Sequence, residues 1–128
     1  MEENKLREIS AAALAYLGDS VIEIRVREHL VNEGYSSSAR LNERALDFVR
    51  APMQAKAMEK LLPLLSEEEE AVFRRGRNIG HTAKPRSSTI AEYRSATGME
   101  ALFGYLHLKG ELGRIDELFA LAYDIENK

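Results

Sequence analysis

The sequence predicts an all-α protein, and three observations carry that expectation. Apolar residues recur at three- and four-residue spacing along most of the chain. Helix starts and stops stand beside those stretches as serines, a capping box and glycines. No run alternates apolar and polar residues for long enough to make a confident strand. A length of 128 residues predicts one domain around one core.

The first long helix is expected from about Ser10 to Asn32. Ser10 is its N-cap, Leu14, Leu17, Val21 and Ile24 recur along it, and Gly34 stops it. A second helix is expected from about Arg40 to Arg50, with Leu41, Ala45, Leu46 and Val49 on one face. The stretch APMQAKAMEKLL begins a third, with Pro52 suited to a first turn, and Pro63 ends it. SEEEEAVFRRG has Ser66 and Glu69 at capping-box spacing, acids in its first turn, arginines in its last and Gly76 beyond. Residues 77 to 88 lack periodicity and read as a loop. A long helix is expected from about Thr89 to Leu108, interrupted by Gly98 and Gly104. Gly110 and Gly113 break it, and RIDELFALAYDIEN closes the chain. Tyr16, Phe103, Tyr105 and Leu106 read as core or dimer packing.

Composition narrows the chemistry. The chain is 45% hydrophobic and 30% charged, which places it among globular proteins rather than disordered ones. It has no cysteine, so disulfides and thiolate metal sites are excluded and a reducing, cytoplasmic setting is expected. The N-terminal MEENKLREIS lacks the apolar core of a signal peptide, and no apolar run reaches the roughly 18 residues of a membrane span. His29, His81 and His107 are far apart, which argues against zinc and leaves oxygen ligands, hence magnesium or manganese. The net charge of −3 argues against a general polyanion binder. Yet RRGRNIGHTAKPR, residues 74 to 86, holds Arg74, Arg75, Arg77, Lys84 and Arg86 and no acid. A basic segment on an acidic body suits a phosphate-binding edge.

Two acids stand out. In AYLGDSVIE, Gly18 and Asp19 interrupt what otherwise reads as a buried helical face. Glycine costs a helix about 1 kcal/mol relative to alanine, and a buried carboxylate costs more unless paired. In ATGMEALFGYL, Glu100 likewise lies among small and apolar residues. Helices of this kind can cross closely and bring their carboxylates together. Facing carboxylates repel unless a cation sits between them. Magnesium suits that role, since it accepts one or two carboxylates and keeps several waters.

YLGDSVIE resembles the signature of ribonuclease III catalytic domains, which carries a Leu-Gly-Asp step on a core helix. MEALFGYLHL is similar to that family's second motif, Glu-Ala-Leu-x-Gly, and the two stand in the family's order about 80 residues apart. ALAYLGDSVIEIRVREHL, SEEEEAVFRRGRN, YRSAT and EALFGYLHL resemble the Mini-III ribonucleases, members made of the catalytic domain alone, across most of residues 10 to 109. The resemblance implies a helical ribonuclease III-like endonuclease domain without a separate double-stranded-RNA-binding domain, acting as a homodimer. It implies Asp19 and Glu100 as catalytic metal ligands and magnesium, with manganese as substitute, as cofactor. Larger ribonucleases III carry a glutamate where this chain has Ala15 and an aspartate where it has Thr97; the departure matches the Mini-III pattern and favours one magnesium per site.

The activity so implied is hydrolysis of phosphodiester bonds in double-stranded RNA, in maturation of large-subunit (23S) ribosomal RNA precursor ends. Staggered cuts leave 5′-phosphates and 3′-hydroxyls. Substrate choice would come from the catalytic face or from a ribosomal protein on the RNA. Arg74, Arg75, Arg77, Asn78, Lys84 and Arg86 are the expected RNA-backbone contacts, although arginines at a helix C-terminus also serve its dipole. Glu23 and Thr97 are second-layer candidates. For Glu23 an i,i+4 pair with Arg27 is the plainer reading; for Thr97, core packing or a backbone hydrogen bond is at least as good. One competing reading is a non-catalytic module that binds structured RNA. Another is an all-α nucleotide pyrophosphohydrolase, suggested by Glu67 to Glu70, but no Glu-x-x-Asp follows residue 70.

Overall fold

The computed structural model describes residues 1–79 and 88–126. Seven α-helices run through them: α1 (Glu3–Glu8), α2 (Ala11–Asn32), α3 (Ser38–Val49), α4 (Ala51–Leu61), α5 (Glu67–Arg77), α6 (Ile90–Lys109) and α7 (Leu112–Ala122), with a 3₁₀ turn at Leu62–Leu64. The described residues contain no strand, and none of their helices is long and apolar enough to cross a membrane.

The helix starts follow capping chemistry. The Ser10 hydroxyl accepts from the Ala13 N–H at 3.1 Å, opening α2. At α5, Ser66 accepts from the Glu69 N–H at 3.1 Å while the Glu69 carboxylate accepts from the Ser66 N–H at 2.8 Å. Thr89 and Glu92 make the same reciprocal pair at α6, at 3.0 and 2.9 Å. Ser37 caps α3, which therefore starts before the expected Arg40. Gly110 ends α6 in the left-handed conformation, at φ 82°.

Helix α6 is the central element, packed against α2, α4 and α5. Every residue from Ala96 to Leu106 is buried except Glu100, which is half-buried. A helix apolar on all sides belongs in the middle of a core, and here one carboxylate is set into it. Gly98 and Gly104 leave α6 unbroken, and Gly76 and Gly113 lie inside α5 and α7. Gly76, Gly98 and Gly104 instead sit where they hold neighbours close, whereas a Cβ on Gly113 would meet nothing within 4 Å. Along α2 the buried stripe is Leu14, Ala15, Gly18, Val21, Ile22, Val26 and Leu30. Ile24, expected on that stripe, is 62% exposed, because it lies about 240° around the helix from Gly18. Tyr16 is 85% exposed and takes no part in the core, whereas Phe103, Tyr105 and Leu106 are buried in it.

A largely buried ion pair joins α5 to α7. Arg114 on α7 donates from Nε and Nη2 to both carboxylate oxygens of Glu69, each at 2.9 Å, and to the Leu64 carbonyl at 2.9 Å. Both side chains are largely buried, so the guanidinium holds the Glu69 carboxyl below its ordinary range. Removing one partner of such a pair strands the other. Arg114→Ala is expected to cost about 2–3 kcal/mol in urea unfolding at neutral pH. A carboxyl depressed in the fold stabilises it above the ordinary pKa of 4.5, and that gain is lost as pH falls through the depressed value. The gap between wild type and variant should therefore close in acid and stay open at pH 7.

Candidate active site

The crossing of α2 over α6 sets the geometry. A Cβ placed on Gly18 would lie 1.6 Å from the Glu100 carbonyl oxygen and 2.9 Å from the Gly104 nitrogen. A Cβ on Gly104 would lie 2.0 Å from the Leu14 carbonyl oxygen. The two backbones therefore touch, and only hydrogen fits between them. Asp19, the next residue of α2, is exposed and lines the same cavity as the half-buried Glu100 carboxyl. Burial first, then the hydrogen bond and charge of Asp19, push Glu100 up from 4.5 to about 8.

Beside the two acids lies a cavity of about 290 Å³ walled by Ala12, Ala15, Tyr16, Tyr93 and Thr97. Ala15 and Thr97, where larger ribonucleases III would carry acids, are thus in this wall and bring no carboxylate. The Thr97 hydroxyl is committed to the Tyr93 carbonyl at 3.0 Å. Among the described residues no cluster of three or more acids and histidines could hold a metal. The donor set is two carboxylates, one raised by its neighbour. It fits a hard divalent ion that keeps several of its waters, with the cavity leaving room for them. Such an ion would take the place of the proton that otherwise reconciles the pair.

The remaining predicted residues are distributed around this centre. Glu23 pairs with Arg27 at 2.7 Å and lines a different groove, on the α2–α3 side. On α5, Arg74 pairs with Glu70 at 2.7 Å, and Arg75 donates to the Ile9 carbonyl at 2.9 Å, fixing the turn before α2. Arg77 lies over the Phe73 ring, with its Nε 3.4 Å from the Asn78 side-chain oxygen. Ile79 reaches the cavity wall, so the basic end of α5 borders the site. Lys84 and Arg86 lie outside the described residues.

Sequence reasoning overlooked the opposite side of Glu100. There a second hollow of about 240 Å³ is lined by Arg50, Ala51, Gln54, Tyr93 and Ala96. The available signal was Pro52, which marked a helix start, with an arginine two residues before it and a glutamine two after.

Residues 12–111 match the family model described as the ribonuclease III domain. A Mini-ribonuclease 3 from Symbiobacterium thermophilum is 45% identical over 111 residues, covering 87% of this chain and 85% of that protein. One from Desulfitobacterium hafniense is 47% identical, covering 85% of this chain and 69% of that protein. A crystal structure of a protein from Fusobacterium nucleatum superposes with a TM-score of 0.84 at 30% identity, covering 94% of this chain and 96% of that one.

Two outcomes test this geometry. Gly18→Ala forces a methyl against backbone and should destabilise the protein by about 3 kcal/mol or more in urea unfolding. Glu100 has a raised folded pKa, so its ionisation destabilises the fold as pH climbs from 4.5 toward 8. Glu100→Gln should then raise Tm by about 4 °C or more at pH 8 in EDTA, with little change at pH 4.

Proposed function

The chain belongs to the ribonuclease III family and is an endoribonuclease of that type; on that premise we propose that it cuts double-stranded RNA with magnesium held by Asp19 and Glu100. The observation that carries this reading is the meeting of those two carboxylates beside an open cavity. The ion, for which manganese may be substituted in the assay, would supply Lewis acidity at the phosphate and an activated water.

The protein's own groups supply the rest. Gly18 fixes the height of Asp19 over α6. Glu100, protonated beside Asp19 in the absence of an ion, would hold the ion as its carboxylate. Small side chains at positions 12 and 15 leave space for the scissile phosphate and its shell. Arg74, Arg77 and Asn78 at the end of α5, with Lys84 and Arg86 beyond, contact the RNA backbone. A-form duplex is held mainly through phosphates and 2′-hydroxyls. Arg75, tied to Ile9, contributes by its charge and by positioning the start of α2.

The substrate we assign is precursor 23S ribosomal RNA in the cytoplasm, with a ribosomal protein as helper. Two copies of the chain would face the two strands as a homodimer. Tyr16, exposed at the cavity rim, supports that assembly, since a large aromatic left in water is suited to cover by a partner. A second reading, a non-catalytic RNA-binding module, is favoured by Ala15 and Thr97 standing in the cavity wall.

Cleavage of an RNA duplex separates the two. Wild type with magnesium should cut, and EDTA should stop it. Asp19→Asn should lose about a hundredfold or more in rate while keeping its fold by circular dichroism. Equal cutting by wild type and Asp19→Asn would remove the assignment; no cutting by either would favour the binding module.

A further inference from the structure

The hollow on the far side of Glu100 has no role in the reading so far. It sits at the start of α4, an 11-residue helix whose N-terminus has no side-chain cap. The Arg50 carbonyl accepts from the Met53 and Gln54 N–H groups at 2.9 and 3.0 Å, so the first turn is formed and its positive end faces the hollow. Arg50 is exposed, and its guanidinium pairs with no described residue. Gln54, one turn in, is 3% exposed. Gln54 is among the residues that line the hollow, and its side-chain amide has no hydrogen-bond partner among the described residues. Buried amides are nearly always bonded, so an orphan beside an unpaired arginine and a helix N-terminus points to a ligand that accepts hydrogen bonds. Such an arrangement selects an anion.

The acid that lines this hollow is Glu100, which also faces Asp19. Glu100 and Tyr93 are common to both hollows, so a chain of phosphates can cross Tyr93 from one to the other. We propose that Arg50, Gln54 and the N-terminus of α4 hold the backbone phosphate next to the one cut between Asp19 and Glu100. This rests on the RNA substrate proposed above. The subsite places the strand against the helix face, and contacts of this kind position a duplex without reading its bases.

Fluorescence anisotropy with a short labelled RNA duplex tests it, using the full chain with calcium in place of magnesium to slow turnover. Arg50→Ala should weaken binding about tenfold. It should also lower the slope of log affinity against log salt by about one. Gln54→Leu should weaken binding with the slope unchanged and with Tm no lower, since it replaces an unbonded buried amide by an apolar group. Arg27→Ala, whose arginine is paired with Glu23 away from both hollows, should bind as wild type does. Wild-type affinity and slope in both Arg50→Ala and Gln54→Leu would overturn the subsite while leaving the nuclease reading intact. So would a loss in Arg27→Ala equal to that in Arg50→Ala, which would mark an effect of net charge. Failure of wild type to bind the duplex would overturn subsite and RNA reading together.

Discussion

The contact between the backbones of α2 and α6 is the constraint on which the site depends. Gly18 lies against the carbonyl of Glu100, and Gly104 against the carbonyl of Leu14. Helices packed through ordinary side chains stand about 8–10 Å apart; these two meet with nothing but hydrogen at the crossing. That closeness puts a carboxylate from each helix within hydrogen-bonding reach. It also explains why a helix-weakening residue sits in the middle of each. The loss of helix propensity, about 1 kcal/mol per glycine, is offset by a contact that no larger residue permits.

The same closeness sets up a conflict that chemistry can use. Glu100 is the one residue not fully buried in the run from Ala96 to Leu106 of an otherwise apolar helix. Set beside Asp19, its carboxyl is pushed up to about 8. Groups strained in this way concentrate at functional sites, although structural ion pairs also shift pKa values. The contrast with Glu69 is instructive. Glu69 meets a guanidinium and is held below its ordinary range, a structural solution. Glu100 meets another acid, a solution completed only by a proton or a cation. Gln54 is a second unmet demand one helix away. Both border the same stretch of surface, and the packing elsewhere, with Phe73, Phe103, Met99 and Leu102 fully enclosed, carries their cost.

Much of this was legible in the residues. Ser10 and the Ser66–Glu69 pair marked helix starts through the hydrogen bonds they now make. The small residues around Asp19 and Glu100 announced a close crossing. The buried stripe of α2 was misread at Ile24, because counting large apolar residues passes over Ala15 and Gly18, which form much of the contact. Propensity alone reads the glycines of α6 as interruptions, since it weighs a glycine by its local cost and is blind to the neighbour it admits. Tyr16 was undecided between core and dimer; its exposure removes the first. The Arg50–Gln54 hollow left little trace, because a buried glutamine without a partner is visible only once its surroundings are fixed in space.

A manganese soak of a crystal of this protein, read by anomalous scattering, tests the central claim most directly. The account predicts a peak between the Asp19 and Glu100 carboxylates, within about 2.0–2.3 Å of an oxygen of each. Carboxylates turned to separate surfaces, with no peak shared between them, would contradict it.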